Sequence, residues 1–164
     1  MEMRTEKWAG FDIRFVESDG EWWAVLKDIC DALGLKTFKV AQRLDPSMLD
    51  RVSVPVSDIP SKYNRSRGDN LTRSVLVVNE LGIYEALFVS KKLEARKFRL
   101  WAGEVMKKLR NSVGLEGYEV MRMTEPEIQD QIDDLLDSIF YDEETGKLMR
   151  SVTVAGGDVE QVEI

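Results

Sequence analysis

The chain has 164 residues, of which 43% are hydrophobic and 32% are charged, a composition typical of a soluble globular protein. It contains no histidine, which excludes His-based triads, His general bases and the usual zinc finger. The single cysteine, Cys30, excludes an internal disulfide and suits a reducing compartment. Residues 1–7 lack the apolar core of a signal peptide, and no apolar stretch is long enough to span a membrane, so we expect a cytoplasmic protein.

Charge is divided unevenly along the chain. Residues 1–118 carry 20 basic and 17 acidic side chains, whereas residues 119–164 carry 3 and 13. Such asymmetry is typical of a nucleic-acid-binding part joined to an acidic segment, and an acidic tail that only aids solubility gives the same pattern. We predict a basic globular domain over 8–117 and an acidic appendix over 118–164.

The start of the chain has the pattern of a β-hairpin followed by a helix. Residues 11–16 and 21–25 alternate apolar and polar side chains on either side of Ser18-Asp19-Gly20, which predicts two paired strands. Apolar residues then recur three and four apart, which predicts a helix with Leu26, Ile29, Cys30 and Leu33 on one face. Gly34 is expected to end this helix in the left-handed conformation.

Residues 37–111 predict three more helices and two more strands. We expect Thr37 to cap a second short helix with Phe38, Ala41 and Leu44 inward. Residues 52–56 predict an edge strand because Pro55 cannot donate to a neighbour. A polar loop over 57–72 precedes a buried strand over 74–78. Asn79 and Ser90 are expected to cap two more helices, the second of which reaches about residue 111.

The acidic appendix predicts a helix and a hairpin. Thr124 with Glu127 has the pattern of a capping box at the start of a helix over about 125–140. Residues 147–164 predict a hairpin around Ala155-Gly156-Gly157-Asp158. The fold class is therefore α+β: a small mixed or antiparallel sheet with a helix-turn-helix-like pair and a long basic helix, then the acidic helix and the C-terminal hairpin.

The two helices between Lys27 and Leu44 have the spacing of a helix-turn-helix, whose second helix enters the major groove of DNA. An ordinary helical hairpin with a solvated face has the same spacing. Lysine and arginine suit phosphates or guanine edges, and glutamine suits adenine. The candidate DNA-binding residues here are Lys36, Thr37, Lys39, Gln42 and Arg43.

Two more basic segments are candidates for phosphate contacts. The loop 61–73 carries four cations against one acid and could follow a phosphate backbone. The helix from residue 91 carries a stripe of lysine and arginine with two acids, which an ordinary solvated surface also shows. The candidates from these segments are Lys62, Arg65, Arg67 and Arg73 in the loop and Arg96 and Arg99 in the helix.

Catalytic and metal sites are not indicated. Paired carboxylates such as Asp133 and Asp137 lie on a helix face that is acidic throughout and is expected only to be solvated. Residues 142–146 lack the alternating oxygen ligands of a calcium loop, and no phosphate-binding or dinucleotide motif occurs. We predict no enzyme activity, no metal and no cofactor.

Five blocks in a fixed order resemble the Bro-N domain of phage antirepressors and of related proteins from large DNA viruses. They are FDIR at 11–14, DGEWWAV at 19–25, KDICDALGL at 27–35, VVNELGIY at 77–84 and SKKLEARKFRLW at 90–101. The resemblance implies an α+β domain that acts in phage gene control, by binding DNA or by binding a repressor, without enzyme activity.

The leading interpretation is a transcriptional regulator that binds double-stranded DNA through its basic domain, in the cytoplasm of a bacterial host. The alternative is an antirepressor that captures a repressor or another regulatory protein without touching DNA. In that case the acidic helix would present a partner-binding stripe, or pair with a second copy of the chain; its residues are Ile128, Ile132, Leu135 and Ile139. A third hypothesis has the acidic segment fold over the basic face and compete with DNA.

Overall fold

A computed structural model describes residues 2–55 and 72–163. Within these ranges the chain divides into two compact units, the N-terminal unit Met1–Arg99 and the C-terminal unit Leu100–Ile164. Each unit contains one antiparallel sheet together with helices, which confirms the predicted α+β class. The division between 8–117 and 118–164 remains a prediction from composition.

The N-terminal unit is built on a five-stranded antiparallel sheet in the order β1-β2-β3-β5-β4. The strands are β1 Met3–Trp8, β2 Phe11–Ser18, β3 Glu21–Val25, β4 Leu49–Pro55 and β5 Thr72–Val78. The edge position of β4 confirms the prediction drawn from Pro55. The sequence pattern does not predict β1, because its four central residues are all exposed and show no alternation.

The predicted turn between β2 and β3 is confirmed. Asp19 and Gly20 both have positive φ angles, 52° and 81°, and together form a two-residue turn whose twist matches that of the flanking strands. The register pairs Ser18 with Glu21 and places Phe15 opposite Ala24. The hairpin thereby places buried Ala24, together with Ile13 and Phe15, on the face that packs into the core.

Four α-helices follow or interleave with the strands: α1 Leu26–Leu33, α2 Thr37–Arg43, α3 Glu80–Val89 and α4 Leu93–Ser112. A short 3-10 helix, Pro46–Met48, lies between α2 and β4. The apolar face predicted for α1 is confirmed, since Leu26, Ile29, Cys30 and Leu33 are all buried. Gly34 follows with φ of 66°, the left-handed conformation expected at the end of this helix.

Two details predicted for α2 are wrong. Lys36 occupies the N-cap position and no side chain caps the helix, so Thr37 is the first helical residue and not the cap. Phe38 points outward and is 73% exposed, whereas Val40 and Leu44 are buried. A helix turns about 100° per residue, so Phe38 lies about 200° from Val40 and therefore faces away from the core.

The start of α3 agrees with the prediction, but the start of α4 does not. The Asn79 side chain accepts a hydrogen bond from the Gly82 backbone at 3.1 Å and so caps α3. Ser90 occupies the C-cap of α3, and its hydroxyl accepts the Lys92 backbone N–H at 3.2 Å. The α4 helix begins after that turn, at Leu93, so Ser90 is not its cap.

The C-terminal unit contains a 3-10 helix, Gly117–Thr124, then α5 Pro126–Asp137 and three strands, β6 Ile139–Asp142, β7 Lys147–Thr153 and β8 Val159–Glu163. The β7–β8 pair confirms the predicted hairpin. The predicted capping box is wrong, because the Thr124 hydroxyl donates to the Met121 carbonyl and Glu125 occupies the N-cap of α5.

The predicted helix 125–140 is also too long. Ile139 and Phe140 belong to β6, where Ile139 pairs with Arg150 of β7. These residues fit the helical stripe by spacing alone, but a run of β-branched and aromatic residues packs better on a pleated sheet. The strand adds a third member to the predicted hairpin.

Candidate nucleic-acid interface

The second helix of the pair presents a polar face opposite its buried one. Val40 and Leu44 are 6% and 7% exposed and hold α2 in the core, and Ala41 packs against the same core, so the opposite side of the helix faces outward. Four side chains are exposed there, and we call them the α2 surface: Lys36, Lys39, Gln42 and Arg43. Their exposure agrees with the outward orientation that the sequence predicts.

Thr37, the fifth candidate of this helix, differs from the other four. It is only half-buried, and its side chain lies within hydrogen-bonding reach of the Cys30 thiol of α1. Burial raises the pKa of Cys30, and a hydrogen bond from Thr37 opposes the shift. Thr37 therefore helps to join the two helices, and its predicted contact with bases stays a prediction.

The cations of α1 and α2 have different surroundings. On α1 the Lys27 ammonium lies 2.6 Å from the Asp31 carboxylate, one helical turn away, and this hydrogen bond raises the pKa of Lys27. In residues 2–55 and 72–163, no salt bridge includes Lys36, Lys39 or Arg43. The cations of α2 therefore lie beyond salt-bridge distance of the described carboxylates.

The start of α4 lies against the turn that joins α1 and α2. The buried Ser90 hydroxyl donates to the Leu33 carbonyl at the end of α1, at 2.7 Å. The Lys92 side chain passes over Gly34, and a β-carbon at residue 34 would lie only 3.0 Å from its Cε. These contacts bring Lys92 over the turn that precedes α2, and two further exposed cations, Lys91 and Arg96, lie close to Lys92 in the chain.

Of these three, only Arg96 is a candidate from the sequence. The proximity of Lys92 to Gly34 depends on a contact between residues 57 apart in the chain, the hydrogen bond from Ser90 to Leu33. Local spacing carries no signal for such a contact. Ser90, a polar residue directly after the apolar run 86–89, is the only local feature that marks the position of this contact in the described chain.

Arg99 has a structural task. Its Nη1 donates to the carbonyls of Leu87 and Ser90, the first at 2.9 Å, and the residue is half-buried. These bonds satisfy carbonyls at the end of α3, which otherwise lack helical partners. A phosphate contact by Arg99 stays a prediction.

The loop candidates are only partly described. Lys62, Arg65 and Arg67 lie outside the described residues. Arg73 is exposed near the start of β5, five residues before Val78, and a strand of that length extends about 17 Å. Since Leu44 of α2 lies near Gly82 and Val78, Arg73 occupies the far end of the strand from that contact.

The predicted partner-binding stripe on α5 is covered in part within its own unit. Ile128 and Ile132 are 6% and 7% exposed and pack with Leu115. Leu135 and Ile139 are half-buried, and Ile139 belongs to β6. A stripe in which all four residues are open to a partner is therefore not present, while a partner-binding role for the other two stays a prediction.

A metal-binding cluster is not assembled in the described residues. In 2–55 and 72–163, no cluster of three or more cysteine, aspartate or glutamate side chains is arranged to hold a metal ion. A cavity of about 380 Å³ lies between the sheet and α1, α3 and α4, with mainly apolar walls such as Trp8, Phe15 and Phe98. Such walls can hold apolar groups.

A sequence model of the N-terminal domain of the BRO family matches residues 12–107, which is more than half of the chain. No curated protein and no solved structure gives a significant match. None of the helices in the described ranges combines the length and the apolar content that a bilayer crossing requires. The matched span includes α1, the whole of α2 and the start of α4.

Proposed function

Because the chain belongs to the BRO family, whose N-terminal domain it carries, we propose that it is a phage antirepressor-like regulator that binds double-stranded DNA through the α2 surface. The family indicates a regulatory role rather than an enzyme activity. The observation that supports DNA as the ligand is the set of exposed side chains on α2, whose cations have no acidic partner within the described part of the chain.

The chemistry of these side chains fits a duplex. Lysine and arginine that contact phosphates release condensed counterions, so the affinity should fall steeply as salt rises. Lys39 and Arg43 lie one helical turn apart and face the same side of α2, where they can reach phosphates or guanine edges. Gln42 has the two groups that pair with adenine in the major groove.

The start of α4 supports the same ligand. Lys91, Lys92 and Arg96 are exposed, and Lys92 lies over the turn that precedes α2. Cations on both sides of an inserted helix can contact the phosphates that border the groove, which fixes orientation without reading sequence. These three residues are therefore proposed as phosphate contacts.

The test is a salt-dependent gel shift of the full chain with Lys39→Glu and Arg43→Glu combined. We expect binding to be lost, with an unchanged circular dichroism spectrum, because both side chains are exposed and unpaired in the described structure. The matched control is Arg4→Glu with Lys7→Glu, an exposed lysine and arginine on β1 that undergo the same change of charge.

Equal loss of binding in the two double variants would mean that net charge, and not α2, controls the interaction. Unchanged binding by the α2 variant would remove this helix from the interface. Single alanine variants refine the result, since each lost phosphate contact should lower the slope of log K against log salt by about 1.

The second candidate function is capture of a repressor or another regulatory protein. The observation in its favour is Leu136 on α5, which is 47% exposed beside the half-buried Leu135. Co-purification of a repressor with the intact chain, lost in the variant Leu136→Asp and retained in Asp137→Asn, would favour this function. DNA binding that is unaffected by Leu136→Asp would show that the two activities are separate.

A further inference from the structure

The outward face of α2 carries one large apolar side chain among its polar ones. Phe38 is 73% exposed, whereas Val40 and Leu44 on the opposite face are 6% and 7% exposed. Phe38 lies one helical turn before Gln42 and next to Lys39 in the chain, so the ring shares the exposed face with both. An aromatic ring therefore lies within the α2 surface proposed to enter the groove.

Phe38 is not needed to hold the helix in place. Val40 and Leu44 anchor α2 in the core, and the turn before it is joined to Ser90 by the bond to the Leu33 carbonyl. Two ring contacts occur among the described residues, and both involve Phe98 rather than Phe38. The ring is thus available to an apolar group of a ligand.

The major groove of unmodified DNA presents one kind of apolar group, the C5-methyl of thymine. We propose that Phe38 contacts a thymine methyl group, so that α2 prefers sites in which A·T pairs lie beneath it. This inference rests on the proposed function, because it assumes that α2 enters the major groove. Gln42, one turn away, carries the amide that suits adenine, so the two side chains favour the same type of base pair.

The experiment compares thymine with uracil, which differ only by that methyl group. Random-sequence duplexes are selected on the wild-type protein, and a bound duplex is then prepared in two forms, with thymine or with uracil throughout. Removing one contacted methyl group should weaken binding by the wild type about fourfold, the effect expected for about one buried carbon.

The variant Phe38→Ala should bind the thymine duplex more weakly than the wild type and should not distinguish the two duplexes. Uracil also alters the shape of DNA, but that effect acts equally on both proteins. It therefore cancels when the thymine-to-uracil affinity ratio of the wild type is divided by that of the variant. The matched control is Leu81→Ala, which removes another exposed apolar side chain, 60% exposed on α3, and should keep the preference of the wild type.

The outcomes separate this inference from the proposed function. Salt-dependent binding with equal affinity for the two duplexes would overturn the role of Phe38 and leave the proposed function standing. A preference for thymine that survives in Phe38→Ala would also overturn it, since another group would then read the methyl. Absence of salt-dependent binding to either duplex would overturn both this inference and the proposed function. If Phe38→Ala loses a bound protein but keeps its DNA binding, the inference is overturned and the ring contacts a protein partner instead.

Discussion

The contacts inside the N-terminal unit join residues that are far apart in sequence, whereas several of those inside the C-terminal unit join near neighbours. In the N-terminal unit, the Ser90 hydroxyl bonds to the Leu33 carbonyl across 57 residues, and β3 pairs with β5 across the intervening α1, α2 and β4. Twelve of the described residues in this unit form one buried core cluster. In the C-terminal unit the buried cluster has three members, Leu115, Ile128 and Ile132, and Arg122 pairs with acids only three residues away.

This difference has an energetic consequence. Burial of apolar surface and of satisfied polar groups supplies most of the stability of a domain, whereas exposed ion pairs contribute little. Single changes should therefore be costly where side chains from distant segments meet and nearly silent where they are exposed and local. The next four predictions test that contrast, in order of decreasing effect.

The largest effect is expected for Asp28→Ala. The Asp28 carboxylate accepts hydrogen bonds from the Arg14 guanidinium at 2.8 and 2.9 Å and from the Arg14 backbone N–H at 3.1 Å. The two side chains are only 16% and 13% exposed, so loss of the carboxylate leaves a largely buried cation. We expect the free energy of unfolding in urea to fall by about 3 kcal/mol.

The control for that variant is Asp31→Ala on the same helix. Its partner, Lys27, is 66% exposed, and solvent screens the pair. Little or no change in stability is expected. A similar loss in both variants would show that range and burial do not govern the cost of breaking an ion pair here.

Next come two glycine-to-alanine substitutions with opposite signs. Gly82 lies in α3, where an added methyl group would collide with the Val78 side chain and lie 3.4 Å from Leu44 Cδ1 and Met48 Cβ. We expect Gly82→Ala to lower the free energy of unfolding by about 2 kcal/mol, the cost of overpacking a core. Gly103 in α4 has open space around it, so Gly103→Ala should raise stability by about 1 kcal/mol through helix propensity.

Thermal melts of the two variants, run in parallel with the wild type, measure the decrease in stability expected for Gly82→Ala and the increase expected for Gly103→Ala. Equal and stabilising effects would mean that the region around Gly82 is loosely packed, and the contrast between the units would then fail at that point. The absence of a positive φ at both glycines makes the comparison a matter of space alone.

A smaller effect is expected from the pH dependence of stability. Burial raises the pKa of the Cys30 thiol above its ordinary value of 9.0. The unfolded chain therefore loses the thiol proton at lower pH than the folded chain, so stability is fully present below about pH 9 and decreases as pH rises through that value. The hydrogen bond to Glu80 raises the pKa of Tyr84 above 10.0, which adds a decrease of the same sign at higher pH.

The measurement is chemical denaturation of the wild type and of Cys30→Ala at pH values below and above 9. The wild type should lose stability across this interval, and the variant should lose less. Identical slopes would show that the thiol ionises equally in both states. A thiol reagent should also react with Cys30 only after unfolding, because the residue is fully buried.

The smallest effect is expected in the C-terminal sheet. Lys147 Nζ lies 2.7 Å from Glu163 Oε2, between β7 and β8, but the two side chains are 52% and 54% exposed. Lys147→Ala should leave the midpoint of urea unfolding unchanged, because solvent and salt screen the pair. A clear loss of stability would show that this ion pair stabilises the C-terminal sheet more than its exposure indicates.

The sequence predicts those elements whose signal is local. The face of α1, the cap of α3 at Asn79 and the turn at Asp19-Gly20 depend on spacing, a side-chain acceptor and a positive φ, and each of these can be identified from a few neighbouring residues. The outward orientation of Lys39 and Arg43 follows in the same way. The prediction fails for Phe38 because residues 37–44 contain four apolar side chains, and their spacing does not show which of them face the core.

Other features depend on the whole fold. Spacing alone assigns Ile139 and Phe140 to a helix, because three- and four-residue intervals continue past Asp137 by chance. Only the pairing with β7 makes that segment a strand. The position of Lys92 beside the turn before α2 likewise depends on the bond between Ser90 and Leu33, which no local pattern contains.

Gly34 couples backbone shape to the layout of charge. Its left-handed conformation disfavours any other residue, and the methylene groups of Lys92 occupy the place that a side chain would take. A mutation there would strain the chain reversal and at the same time displace an ammonium group more than fifty positions away in sequence. A change at this single site would therefore alter the backbone reversal and the position of a surface charge together.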